Sequence, residues 1–216
     1  MILSKKNKLN RLLNIAKEII KETGNVYNEH PICSFIKSLT MKTQSYILEE
    51  LYYNGMKEIK IGAMLPLNFE VPEEDVIKKT KISEVKRIQL GKDNILSIPW
   101  KYDRFIRSIT AIGGGMAEGE WKQDNNHSIF YYNPLDLYIV MSGNHSIISG
   151  MLKSEGEVNI DYSIDLTGIY KYVYFDGIYY RDVRNKRKIQ KAVIFEIGVI
   201  FEIGRLIFEN NIILKK

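Results

Sequence analysis

The chain has 216 residues, of which 45% are hydrophobic, and 31 Lys and Arg stand against 26 Asp and Glu. This apolar share supports a packed core, and the length fits one domain or one domain with a helical extension. A single cysteine, Cys33, excludes an internal disulfide and a Cys-cluster zinc site, and its expected role is that of a small buried hydrophobe. No apolar run approaches the ~18 residues of a membrane span. The start, MILSKKNKLN, has no leader-like apolar stretch, so a reducing cytoplasm is the expected location.

Leu9, Leu12, Leu13, Ala16, Ile19 and Ile20 recur at helical spacing and predict an amphipathic helix ending at Gly24. His30 precedes Pro31, which opens a second helix carrying Ile32, Phe35, Ile36, Leu39, Ile47, Leu48, Leu51 and Tyr52 and stopping near Gly55. Residues 62–72 contain two prolines and read as extended chain. Glu73 to Lys79, acidic in its first turn, reads as a short helix. Val85 to Leu90 reads as a strand. A further helix starts at Pro99 and ends at Gly113-Gly114-Gly115.

The middle of the chain is β-rich. Ile129 to Tyr132, Leu137 to Met141, Val158 to Ile164 and Tyr170 to Phe175 read as strands. Asp176-Gly177 is a hairpin turn before Ile178 to Tyr180, and Ser146 to Leu152 is a short helix. At the end, VIFEIGVIFEIGRLIFEN is apolar on nearly every face. It predicts a deeply buried helix, with a strand pair as the alternative. The fold class is therefore α+β. Residues 1–61 form a helical region, 62–182 a core with a small mixed sheet, and 183–216 a C-terminal helix on the same core, all as a single domain.

The most informative segment is Ser142-Gly143-Asn144-His145-Ser146, placed between an apolar strand and a helix. Glycine lets backbone approach an anion, a helix start presents free N–H groups, and Asn, His and Ser add donors. The structural alternative is a β-turn with a capping Asn144 and a satisfied His145. His127, in the polar run after Trp121, could meet His145 in space. With Asp124 the two histidines could then serve in acid–base work or hold a metal, against the plainer reading of a solvated loop.

This strand–turn–helix resembles the ParB/sulfiredoxin group of domains, in which a Gly-x-His-Arg or Gly-x-x-Arg turn between strand and helix binds nucleotide phosphates. The likeness covers roughly residues 82–180. Val85 to Leu90 stands for the group's first strand, and the helix with Arg104 and Arg107 for the one before its second. The group's arginine falls at Ser146, and Asn144 stands where sulfiredoxins have their reactive cysteine, which removes sulfiredoxin chemistry. The resemblance implies a prokaryotic or mobile-element protein that binds a phosphate-bearing ligand, a nucleotide or nucleic acid. Ser142, Gly143, Asn144, His145 and Ser146 would hold it, and Arg104 or Arg107 would replace the missing arginine. Hydrolysis by His145 or His127 is a further expectation. The sequence does not name a cofactor.

The net charge of +5 is local. Arg181 to Lys191 carries six basic residues and one acidic residue, and the remainder cancels. Read as a helix, Arg181, Arg184, Arg187, Lys188 and Lys191 share one face. That face would dock on nucleic acid or on an acidic protein, as an inhibitor or accessory subunit would, in a non-catalytic interaction protein. A solvated face is the simpler alternative.

Overall fold

A computed structural model describes residues 4–23, 28–54, 59, 64–67, 69, 76–84 and 86–214. Helix α1 (Lys5–Glu22) is started by Ser4, whose Oγ accepts the Asn7 N–H at 3.2 Å. Helix α2 (Ile32–Asn54) is started by His30, whose Nδ1 accepts the Ile32 N–H at 3.1 Å. The stop positions expected at Gly24 and Gly55 lie outside the described residues.

Strands β1 (Lys78–Lys81), β3 (Ile95–Leu96), β4 (Ser128–Asn133), β5 (Leu137–Ser142) and β7 (Tyr162–Asp165) form a mixed sheet in the order β1-β7-β4-β5-β3. β4 pairs antiparallel with β5, while β3 runs parallel to β5 and β7 parallel to β4. Alternate residues divide the core. Leu96, Leu137 and Ile139 face the larger cluster built with α1, α2 and helix α5 (Phe195–Glu209). Ile95, Tyr138 and Val140 face a smaller cluster with Trp121, Ile88 and Val158. Helix α4 (Asn144–Lys153) joins the two, placing Ile148 in the first and Ile147 in the second.

The C-terminal repeat is a helix, as its apolar circumference predicts: Ile197 to Gly204 is buried without interruption. Its glycines serve close approach, since a Cβ at Gly198 would overlap the Phe175 ring. Among the described residues no helix is long and apolar enough to cross a membrane.

Several expected boundaries are corrected. Lys78 and Lys79 belong to β1, not to a helix, and Lys79 Nζ lies 4.4 and 4.1 Å from the Phe130 and Tyr162 ring centres. Of the strand expected at Val85–Leu90, Arg87–Gln89 forms β2, which pairs with β6 (Glu157–Asn159) outside the main sheet. Helix α3 (Tyr102–Ala111) starts three residues after Pro99. The expected strand Val158–Ile164 is broken into β6 and β7 at Asp161, whose carboxylate accepts from Ser128 Oγ and the Ile129 N–H. Tyr170 and Lys171 end a 3-10 turn (Thr167–Lys171), so strand β8 is only Val173–Phe175.

The largest correction is Arg181 to Lys191, which is a hairpin and not a helix. Strand β9 (Tyr179–Asp182) turns into β10 (Lys188–Lys191), and the two pair antiparallel. Short side chains divert the backbone: Asp182 Oδ1 accepts the Arg184 N–H, Asn185 Oδ1 accepts the Arg187 N–H, and Lys186 has φ of 61°. The C-terminal helix therefore begins at Phe195, well after residue 183.

Candidate functional site

The segment 137–153 forms a strand, a one-residue turn and a helix. Gly143 turns the chain with φ 79° and ψ 17°. A Cβ there would overlap His127 Cδ2, so glycine is required by both conformation and space. The side chains after it reach into the protein. Asn144 Oδ1 accepts the Ile98 N–H at 2.5 Å and the Ser97 hydroxyl at 3.1 Å, and the Asn144 carbonyl accepts the same hydroxyl at 2.8 Å. Ser97 is held from its other side by Gln44 of α2, which exchanges two bonds of 2.9 Å with its backbone. The link between β3 and α3 is thus clamped between α2 and α4.

His145 continues the clamp. Its Nε2 accepts the Lys101 N–H at 3.1 Å, at the start of α3, and its ring meets Trp100 edge-on at 4.6 Å. Burial lowers its pKa, and the charges of Arg104 and Lys101 lower it further against the Lys101 hydrogen bond. His145 is therefore a neutral imidazole with its proton on Nδ1.

His127 belongs to a different network. Its Nδ1 accepts the Asp124 N–H at 2.8 Å, so Nε2 carries the proton and donates to Ser146 Oγ at 3.0 Å. Burial lowers its pKa, and the Asp124 carboxylate opposes that only in part. Ser146 Oγ also accepts the Trp121 indole N–H at 3.0 Å. In this tautomer His127 donates a hydrogen bond to Ser146 and accepts none from it, the reverse of nucleophile activation. Ser142 Oγ donates to the Asn126 carbonyl at 2.5 Å.

The structure thus brings Arg104 into electrostatic reach of His145, and His127 onto Ser146. Arg104 and Arg107 are exposed on α3 with Lys101. Trp100 and Tyr102 beside them are 44% and 53% exposed, a large apolar surface left open. A family model described as "Family of unknown function (DUF6710)" matches residues 3–214. The chain belongs to the DUF6710 family. No curated protein and no solved structure matches it.

Two features of this DUF6710 chain escape its sequence. A cleft of about 460 Å³ is lined by the polar residues Arg87, Gln123, Asp124, Asn125, Glu157 and Asn159. Possible metal ligands gather at Glu29, Cys33 and Asp136, whose donor atoms lie within 4.8 Å of one another. Asp136 is also held by Asn94, whose Nδ2 donates to Oδ2 at 2.6 Å. No periodicity or motif links residues 29, 33 and 136. In the expected basic stripe, Arg181 pairs with Asp176, and Arg184 pairs with Asp182, whose pKa falls to about 2 through that bond. Arg187, Lys188 and Lys191 stay exposed.

Proposed function

We propose that this chain binds a phosphate-bearing ligand of the nucleotide class where the first turns of α3 and α4 meet, as a binding domain of the cytoplasm and not as a hydrolase. The observation that carries this reading is the 3.1 Å bond from the Lys101 N–H to His145 Nε2, which sets two helix N-termini side by side. Each N-terminus carries partial positive charge, and two together favour an anion more than one. Lys101, Arg104 and Arg107 add full charges, from which Asp103 in the same turn subtracts one. Trp100 and Tyr102 offer faces on which a base can stack. The strand–turn–helix supports the likeness to ParB-type phosphate turns, with the cation supplied from α3 where Ser146 lacks one. Binding is favoured over hydrolysis because His145 Nε2 is committed to Lys101, and both His127 nitrogens to Asp124 and Ser146.

Calorimetric titration with ATP, ADP, AMP and adenosine at low salt tests this. Affinity should rise with phosphate number, with quenching of Trp100 fluorescence that is absent from Trp100→Phe and without release of phosphate. Equal affinity for adenosine and ATP, or no heat at millimolar ligand, overturns the reading.

A further inference from the structure

We propose that the outer face of the β8-β9-β10 sheet, together with the start of α1, is a binding surface for single-stranded nucleic acid, separate from the α3–α4 site. The sheet register makes the face. Tyr174 pairs with Arg181, Arg181 with Lys188, and Tyr179 with Lys191. Residues directly opposite in a ladder share a face, as do residues two apart along one strand. Tyr174, Tyr179, Arg181, Lys188 and Lys191 therefore lie on one side. Burial agrees: these five are half-buried or exposed, whereas Val173, Phe175, Tyr180 and Asp182 on the other side are buried. The outer face is two tyrosines and three cations.

Neighbouring cations crowd the same rings. Lys188 Nζ stands 4.4 Å from the Tyr179 ring centre and Lys186 Nζ 5.3 Å from that of Tyr174. Asp176 pairs with Arg181 and Asp182 with Arg184, but Lys186, Lys188 and Lys191 make no ion pair among the described residues. The fold adds a second basic segment from far away in sequence. A Cβ at Gly177, the turn between β8 and β9, would lie 3.1 Å from the Lys6 nitrogen, so the start of α1 abuts this turn. Lys5, Lys6 and Lys8 are exposed there, and the first turn of α1 has no acidic residue.

Segments 4–11 and 176–191 together carry ten basic and two acidic residues, leaving 21 basic and 24 acidic in the rest of the chain. The chain is thus basic here and slightly acidic elsewhere, which is charge complementarity to a polyanion. The tyrosines select the occupant. Cations alone would suit any polyanion, whereas aromatic rings interleaved with cations give unpaired bases a stacking surface that the paired bases of a duplex cannot use.

The test is fluorescence anisotropy of the full chain with a labelled single-stranded oligonucleotide over a salt series, with duplex DNA and heparin as competitors. Single strands should bind more tightly than duplex. The variant Lys186→Ala/Lys188→Ala/Lys191→Ala should flatten the log–log salt slope by about two units, at ~0.7 per phosphate contact. Tyr174→Ala and Tyr179→Ala should each weaken binding by roughly 5- to 150-fold while leaving that slope in place. Melting curves of each variant guard against loss of fold. Arg104→Ala should leave this binding unchanged, which separates it from the α3–α4 site. Absence of single-strand binding at low salt, or tyrosine variants that bind as the parent does, overturns the proposal. Tight heparin binding with indifferent tyrosines would mark a plain polyanion surface and overturn it equally.

Discussion

Asn144 accepts the Ile98 backbone N–H at 2.5 Å through its side-chain oxygen, so a residue expected to reach for ligand is turned into the protein. Both partners are buried, and the same oxygen holds the Ser97 hydroxyl. The Gly143–Ser146 turn consequently works on its neighbours. It fixes the path of residues 97–101 and thereby where α3 begins. Its influence on a ligand runs through α3 and through the backbone of α4.

Asn144→Ala should therefore cost stability first. It leaves the Ile98 N–H and the Ser97 hydroxyl buried without this acceptor, a loss of about 1–3 kcal/mol. Asn144→Asp keeps the acceptor but places a carboxylate in a buried position, so it should also lose stability, and more at neutral than at acidic pH. Urea unfolding monitored by circular dichroism measures both. An alanine variant as stable as the parent would show that the clamp carries no weight.

The three histidines predict acid sensitivity. Burial lowers the pKa of His30, of His127 and of His145, where the Arg104 charge adds to it. In the unfolded chain each titrates near ~6.5. As pH falls through that value the unfolded state takes up protons that the folded state refuses, so unfolding becomes more favourable. Their stabilising contribution is complete above about pH 7 and is lost toward the lowered folded values. The urea midpoint should fall between about pH 7.5 and pH 5.5. Asp176 and Glu155, whose pKa values are lowered by hydrogen bonds from Tyr179 and Gly114 among others, act only in the more acidic carboxylate range. A flat midpoint across the histidine window would contradict the burial of the rings as neutral groups.

The sequence revealed periodic elements and hid those made by side chains acting on backbone. The apolar stripes of α1 and α2, the all-round apolarity of α5, and the break at Ser142–His145 were legible because repetition or a glycine marks them. The hairpin at 181–191 was not, since its basic residues fall at helical spacing and its turn is set by Asp182 and Asn185. β3 is two residues long and has no period to detect, yet it carries Ser97 and α3 to the site. The roles of His127 and His145 were opaque for a related reason. Composition places a histidine, but only the facing backbone, Asp124 for one and Lys101 for the other, decides which nitrogen holds the proton.

Arg205 on α5 should prove among the costliest charged residues to remove. It pairs with Glu202 at 2.8 Å and donates to the Tyr170 carbonyl at 2.6 Å and to the Val173 carbonyl. Glu202 in turn accepts the Phe175 N–H at 2.7 Å and is buried. Arg205→Met would strand a buried carboxylate, at a cost of about 3–5 kcal/mol. Glu202→Gln in the same chain should restore part of that, because the amide oxygen still accepts from Phe175 and no charge remains. Denaturant curves of the two single variants and the double variant measure the coupling. Additive losses would refute it.

Arg104→Ala separates the electrostatics of the α3–α4 site from its architecture. The Arg104 side chain is exposed on the first turn of α3, and its charge contributes to the lowered pKa of His145. Removing it should raise the His145 pKa toward the ordinary value while burial keeps it below. The histidine ring resonances report this in a pH titration by NMR, with no ligand present. The fold should be unaffected, since an exposed cation contributes little to stability. With ATP present, loss of a charge-assisted contact of about 1.5–3 kcal/mol should weaken binding roughly 10- to 150-fold. Arg104→Lys keeps the charge and should hold the His145 pKa near that of the parent, yet recover only part of the affinity, because lysine cannot form a two-pronged phosphate contact. If the His145 pKa rises but ATP affinity is unchanged, the electrostatic link stands and the ligand site lies elsewhere. If neither moves, Arg104 does not act on this turn at all.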